Sequence, residues 1–244
     1  MPENVRLWTE TSFNIAYLIA VWWLVLAMWR RRGAVARADR KTAGLVMLAF
    51  FFLGLGDVGH VGFRLVAFGL GGIETGVAVF GRELKLAPMG SLATAITFTF
   101  FYVILLFAWR ERFGKPLGII GWSVLVLAAA RLLIMAHPAN GWNSTVLQYP
   151  WSLYRNAPLM LMQLGVAFLL MRDALARQDR TFTVVSILIL VSFACYAPVI
   201  FFQQRVPLIA MLMIPKTIAY LAIAAIGLKA LFPKHAVRAQ AASA

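Results

Sequence analysis

Cysteine is almost absent from this chain. Cys195 is the only one, which excludes an intramolecular disulfide and leaves no thiolate cluster for a metal; its place inside an apolar block assigns it to packing. Acidic residues are also scarce, with nine Asp and Glu against 23 Lys and Arg. Charged residues of both signs make up 13% of the sequence, well below a soluble domain's share of about 25%. The three histidines, His60, His137 and His235, are too dispersed to suggest a metal site. No connector is long enough to hold a second, water-soluble domain.

Apolar sequence fills the space instead. Hydrophobic residues account for 62% of the chain, and the mean hydropathy of +0.81 excludes a soluble globular class. A lipid-spanning helix needs about 20 mainly apolar residues, and seven such blocks can be drawn at 13–29, 43–69, 87–109, 117–136, 151–171, 182–202 and 207–231. The expected fold is all-α: one polytopic bundle of seven transmembrane helices over 1–234, followed by a short cytoplasmic tail at 235–244. The first block is kept as a helix and not read as a cleavable signal, because its basic cluster follows the apolar run.

The lysines and arginines fall mainly on one side of the seven blocks. That side receives Arg30, Arg31, Arg32, Arg37, Arg40, Lys41, Arg110, Arg112, Lys115, Arg172, Arg177, Arg180, Lys229, Lys234 and Arg238. The positive-inside rule makes it cytoplasmic, with the N-terminus outside and the C-terminus inside. A bacterial inner membrane is the expected location. The formal charge of +14 fits topology and contact with anionic lipid. It lacks the basic face interleaved with aromatics that nucleic acid requires.

Ionisable groups inside such blocks are costly and mark function by default. The second block carries Gly54-Leu55-Gly56-Asp57-Val58-Gly59-His60-Val61-Gly62-Phe63-Arg64. Asp57, His60 and Arg64 fall within roughly 60° of one another on a helix, and the glycines permit close approach of a neighbour. Gly54 to Gly59 also has the spacing of a dinucleotide fingerprint, which acts only between a strand and a helix N-terminus. Asp57 and His60 are candidate acid/base groups; an internal ion pair that selects packing explains them equally well.

Block seven contains Met213-Ile214-Pro215-Lys216-Thr217-Ile218-Ala219-Tyr220. Lys216 is too deep to reach the cytoplasmic surface, and Tyr220 shares its face. Asp57, the one mid-span acid in this topology, is its expected counter-charge. Further ligand-binding candidates are Arg64, Arg131, Tyr154, Arg155, Asn156, Gln163 and Tyr196. All of them fall in the outer half, so the expectation is an outward-facing pocket and not a continuous channel. Trp22, Trp23, Trp109, Trp122, Trp142 and Trp151 lie near block ends and read as an interfacial belt. The sequon Asn143-Ser144-Thr145 is a pattern frequent by chance.

The GDxxHxxxR stretch, Tyr154-Arg155-Asn156 with Pro158, and Met211 to Thr217 together resemble a family of uncharacterised bacterial seven-helix membrane proteins. That resemblance implies the helix count and no particular activity. A weaker one is to microbial rhodopsins, through Tyr196 and Pro198 on helix six and Lys216 on helix seven. It implies retinal on a Lys216 Schiff base, although helix three lacks the carboxylate and arginine set such proteins carry there.

Three functions remain open at this level. The first is binding or transport of an anionic small molecule or lipid headgroup, held by Arg64, Arg131, Arg155 and Lys216. Acid-base catalysis by Asp57 and His60 on a lipid-linked substrate is the second, and a retinal photoprotein the third. A purely structural charge network would also account for the same residues. The sequence specifies neither a cofactor nor an oligomeric state.

Overall fold

The computed structural model describes residues 3–233, with side chains from residue 12 onward. The proposed tail at 235–244, with His235 and Arg238, and Lys234 before it lie outside the described residues. The helices are α1 (Glu3–Arg31), α2 (Arg40–Gly69), α3 (Leu86–Phe113), α4 (Gly118–Ala136), α5 (Trp151–Ala176), α6 (Arg180–Phe202) and α7 (Met213–Leu231). Between α2 and α3 lies a short antiparallel hairpin of β1 (Gly76–Val79) and β2 (Arg82–Lys85). Among the described residues, seven helical segments are long and apolar enough to cross a membrane, as the hydropathy pattern predicts.

Several helices overrun their apolar blocks. α2 has 30 residues, about 45 Å of helix, against a hydrocarbon core of about 30 Å. The polar flanks continue the helix because backbone hydrogen bonding does not depend on side-chain polarity. Breakers set the ends: α3 stops at Gly114, whose left-handed φ of 61° caps the helix through an N–H bond to the Arg110 carbonyl. α7 behaves differently. Its span begins as a 3₁₀ turn over Pro207–Leu212, and the α-helix starts at Met213, which puts Pro215 in the first turn where its missing donor costs least.

α2 and α3 form the most intimate pair. A Cβ on Gly90 would lie 2.6 Å from the Gly59 carbonyl oxygen, and one on Gly59 would lie 2.9 Å from Ala93. Thr94 Oγ1 donates 2.7 Å across this seam to the Gly56 carbonyl. The Gly54 to Gly59 spacing therefore serves helix packing in the interior of α2, where no helix N-terminus exists to hold pyrophosphate.

The two ends of the bundle differ. At the basic end, Arg112 on α3 donates to Asp179 (Nε 3.0 Å, Nη2 2.8 Å) and to Asp39 (Nη1, 2.6 Å), joining two loops to one helix. Just inside it, buried Asp173 accepts from Trp109 Nε1 at 2.8 Å and from Arg172. The basic half thus holds a buried polar pair of its own, and Trp109 belongs to the core and not to an interfacial belt. At the other end, Asn143 takes the Lys85 N–H on its Oδ1 (2.6 Å) and gives its Nδ2 to the Glu83 carbonyl (2.8 Å). Lys85 and Thr145 both donate to Glu74. These bonds pin the hairpin to the loop after α4.

Candidate functional site

The pinned hairpin end encloses a recess of about 110 Å³. Arg64 reaches it from α2, Arg155 from α5, and Asn140, Trp142 and Gln148 from the loop after α4. Among the described residues its lining includes two arginines and no carboxylate. The Arg155 guanidinium lies 4.2 Å over the Trp142 ring, and its Nη1 makes long contacts to Asn140, 3.4 Å to the carbonyl and 3.5 Å to Oδ1. Stacking on an indole fixes the guanidinium plane while leaving its edge donors for a planar or tetrahedral oxyanion.

Arg131 is a different kind of cation. It is buried on α4, with Nε donating 2.9 Å to the Arg155 carbonyl and Nη1 donating to the Ala95 carbonyl (2.8 Å) and Thr99 Oγ1 (2.5 Å). Neutral acceptors on α3 and α5 occupy its fork. It braces the turn that carries Arg155 and does not line the recess.

Deeper in the bundle, Tyr17 on α1 donates 2.6 Å to Asp57 Oδ2. Asp57 was expected to contact His60 or Lys216, and it hydrogen-bonds neither. Lys216 lies within Coulombic reach of Asp57, yet its Nζ is surrounded by rings: 4.8 Å from the Phe98 centroid, 4.5 Å from Tyr196 and 5.8 Å from Tyr220. Such faces attract an ammonium electrostatically. His60 Nδ1 is buried without a hydrogen-bond partner.

The remaining candidates form two further groups. Tyr196 donates 2.9 Å to Asn156 Oδ1, and Asn156 Nδ2 returns to the Ser152 carbonyl at 2.8 Å. Gln163 Nε2 donates to the Ile189 carbonyl (3.1 Å) and Ser192 Oγ (3.3 Å), leaving buried Oε1 unpartnered. The hydroxyls of Tyr220 and Tyr102 share a 2.5 Å hydrogen bond. Asn156 and Gln163 do face one way, toward α6, as their seven-residue spacing implies.

The single pocket expected from the sequence is therefore divided. Arg64 and Arg155 share the recess, Lys216 and Tyr196 meet at mid-bundle, and Gln163 and Tyr220 belong to the polar contacts among α3, α5, α6 and α7. Tyr154 is exposed and packs edge-on against Trp151, outside the recess lining. Helical periodicity gives the direction of a side chain around its own axis; the crevice it enters depends on neighbours the pattern does not encode.

Tyr17, Asn140, Trp142, Gln148, Phe98, Tyr102 and Ser192 were not singled out as site residues. Of these, Tyr17 offered a usable signal: a phenol surrounded by apolar residues in a membrane-length block needs a partner for its hydroxyl. Phe98 offered none, because an aromatic in such a block is ordinarily core. Comparison with protein-family models, curated proteins and solved structures found no match.

Proposed function

We propose that this is an integral membrane binding or transport protein whose recess takes an anionic small molecule or a lipid headgroup. The observation that carries this reading is the Arg155 guanidinium stacked on Trp142 at a recess that Arg64 also lines and whose lining, among the described residues, holds no carboxylate. An oxyanion in the recess would meet the edge donors of Arg155, already oriented by that stacking. The basic loops at the far end favour a cytoplasmic placement there, which turns the recess outward, in a bacterial inner membrane. The acid-base reading has weaker support, since the carboxylate of Asp57 is bonded to Tyr17 and not to His60.

Native mass spectrometry of the purified protein, with extraction of bound lipids and metabolites, tests the proposal. Wild type is expected to carry an anionic species that is lost in Arg155→Ala and in Arg64→Ala while both variants stay folded. Co-purification that is unchanged in both variants would remove the recess as the binding site. An absorption spectrum of the same sample tests the retinal reading, which requires a visible band absent from Lys216→Ala.

A further inference from the structure

The hairpin between α2 and α3 has two unlike faces. Successive residues of a strand point to opposite sides. The register pairs Val77 with Leu84 and Val79 with Arg82 on one face, and Gly76 with Lys85 and Ala78 with Glu83 on the other. The second face is tied to the protein: Lys85 Nζ and Thr145 both donate to Glu74, which joins it to the loop after α4. Glu83 lies over Gly76, where a Cβ would sit 2.6 Å from its Cγ. On the first face Val77 and Val79 are exposed and Leu84 is half-buried.

The tip departs further from what a soluble hairpin would carry. Phe80 and Gly81 close it with φ of 48° and 73°, the positive pair of a type I′ turn, whose first position favours Asn, Asp or Gly. A bulky residue at positive φ is a conformational outlier. No packing compensates it, because Phe80 is fully exposed. Asparagine would suit both the backbone and water, so a fully exposed phenyl ring here breaks two local rules at once, the pattern expected of a functional position.

Place, charge and area decide what covers this face. β2 ends at Lys85 and the membrane-length helix α3 starts at Leu86. The Leu86 N–H donates 3.2 Å to the Thr75 carbonyl, so both ends of the hairpin are held at the end of a span. The charge on the apolar face comes from Arg82, with no acid beside it, a combination that suits acyl chains together with lipid phosphate. Phe80 offers about 200 Å² of apolar surface and the two valines less, far short of the roughly 1,000 Å² that a specific protein interface buries. We infer that this face is an interfacial anchor: Phe80, Val77 and Val79 enter the leaflet at headgroup depth, and Arg82 meets lipid phosphate. Through Thr145, which bonds Glu74 and lines the recess, the anchor also steadies the recess wall. It does not require the recess to bind anything.

Site-directed spin labelling of the full-length protein in nanodiscs of phosphatidylethanolamine and phosphatidylglycerol tests the anchor. Cys195→Ser removes the native thiol, and Phe80→Cys, Val79→Cys, Ala78→Cys and Val126→Cys each carry one label. The readout is the ratio of collisions with oxygen, which concentrates in lipid, to collisions with a nickel chelate, which stays in water. Val126, exposed at the middle of α4, is the lipid reference, and Ala78 on the opposite face of the hairpin is the water reference. Labels at Phe80 and Val79 are expected to give a ratio severalfold above that at Ala78 and below that at Val126. Phe80→Asn, which suits the turn, should bring the Val79 ratio down to that of Ala78 while the protein stays folded. Arg155→Ala should leave every ratio unchanged, which separates the anchor from the recess. Ratios at Phe80 and Val79 equal to that at Ala78 would overturn the anchor. Protection from both reagents, or dipolar broadening between labels, would overturn it in favour of a protein partner or a second copy.

Discussion

The hydroxyl of Tyr17 donates a 2.6 Å hydrogen bond to Asp57 Oδ2, joining α1 to α2. This bond gives the mid-bundle carboxylate a neutral partner and leaves the nearby ammonium of Lys216 to its rings. Tyr17→Phe is expected to destabilise the protein, and Asp57→Asn to be less harmful in that background than alone. Coupling between membrane hydrogen-bond pairs averages about 0.6 kcal/mol and reaches about 1.7. A carboxylate acceptor places this pair toward the upper end. A double-mutant cycle on thermal unfolding in detergent measures it, and strictly additive effects would mean the bond contributes nothing.

Arg131→Lys is expected to cost about 1–3 kcal/mol, the penalty of leaving buried acceptors unmet. A lysine delivers one point charge, whereas the guanidinium serves the Arg155 carbonyl, the Ala95 carbonyl and Thr99 Oγ1 at once. Because the first of these braces the turn bearing Arg155, anion binding should weaken even where the variant folds. Wild-type thermal stability in Arg131→Lys would show that the fork geometry is not needed.

Gly90→Ala sets a Cβ 2.6 Å from the Gly59 carbonyl oxygen, a backbone atom that cannot rotate away. Overpacking of this kind costs about 1–3 kcal/mol, and the helices must separate to relieve it. Gly62→Ala, on the partner helix α2 three residues beyond Gly59 and with open space around the new methyl, is the control. Comparable melting temperatures for the two variants would count against the α2–α3 seam described here.

Glu74 supplies a pH-dependent latch outside the spans. Its hydrogen bonds from Lys85 and Thr145 hold its carboxyl below the ordinary value of 4.5. A depressed folded value means that the stabilisation is fully present above 4.5 and fades as pH falls through the lower, folded value. The hairpin-to-loop attachment should therefore persist at neutral pH and loosen as pH falls below 4.5. Hydrogen exchange at the Lys85 amide, followed from neutral pH downward with pH-corrected intrinsic rates, checks this. Protection that does not respond to acid in wild type, or that survives Glu74→Gln unchanged at neutral pH, would assign the attachment to Asn143 alone.

Arg112→Lys should release one of its two loops, because a single ammonium does not span Asp39 and Asp179 as the guanidinium does. Partly exposed ion pairs contribute roughly 0–1 kcal/mol each, so the expected readout is local. Faster hydrogen exchange in the 32–39 or 176–180 loops, with little change in melting temperature, is the anticipated pattern.

Composition and apolar block length were enough to define seven membrane-length helices, since a helix that satisfies its own backbone needs only a long apolar run. The glycines of α2 likewise revealed a tight seam, because absence of a side chain is legible one residue at a time. Arg64, His60 and Asp57 could be placed on one face of α2 for the same reason: their relation lies within a single helix. What lay beyond the sequence was every relation between helices. Arg131 and Arg155 look equivalent as letters, yet one is consumed by neutral acceptors on α3 and α5 and the other stacks on Trp142 at a recess. Lys216 was matched to Asp57 by charge alone, but Tyr17 and three rings took the two partners instead. Periodicity fixes an angle about one axis, while partnership depends on how several axes are set beside one another, and tertiary packing alone decides that.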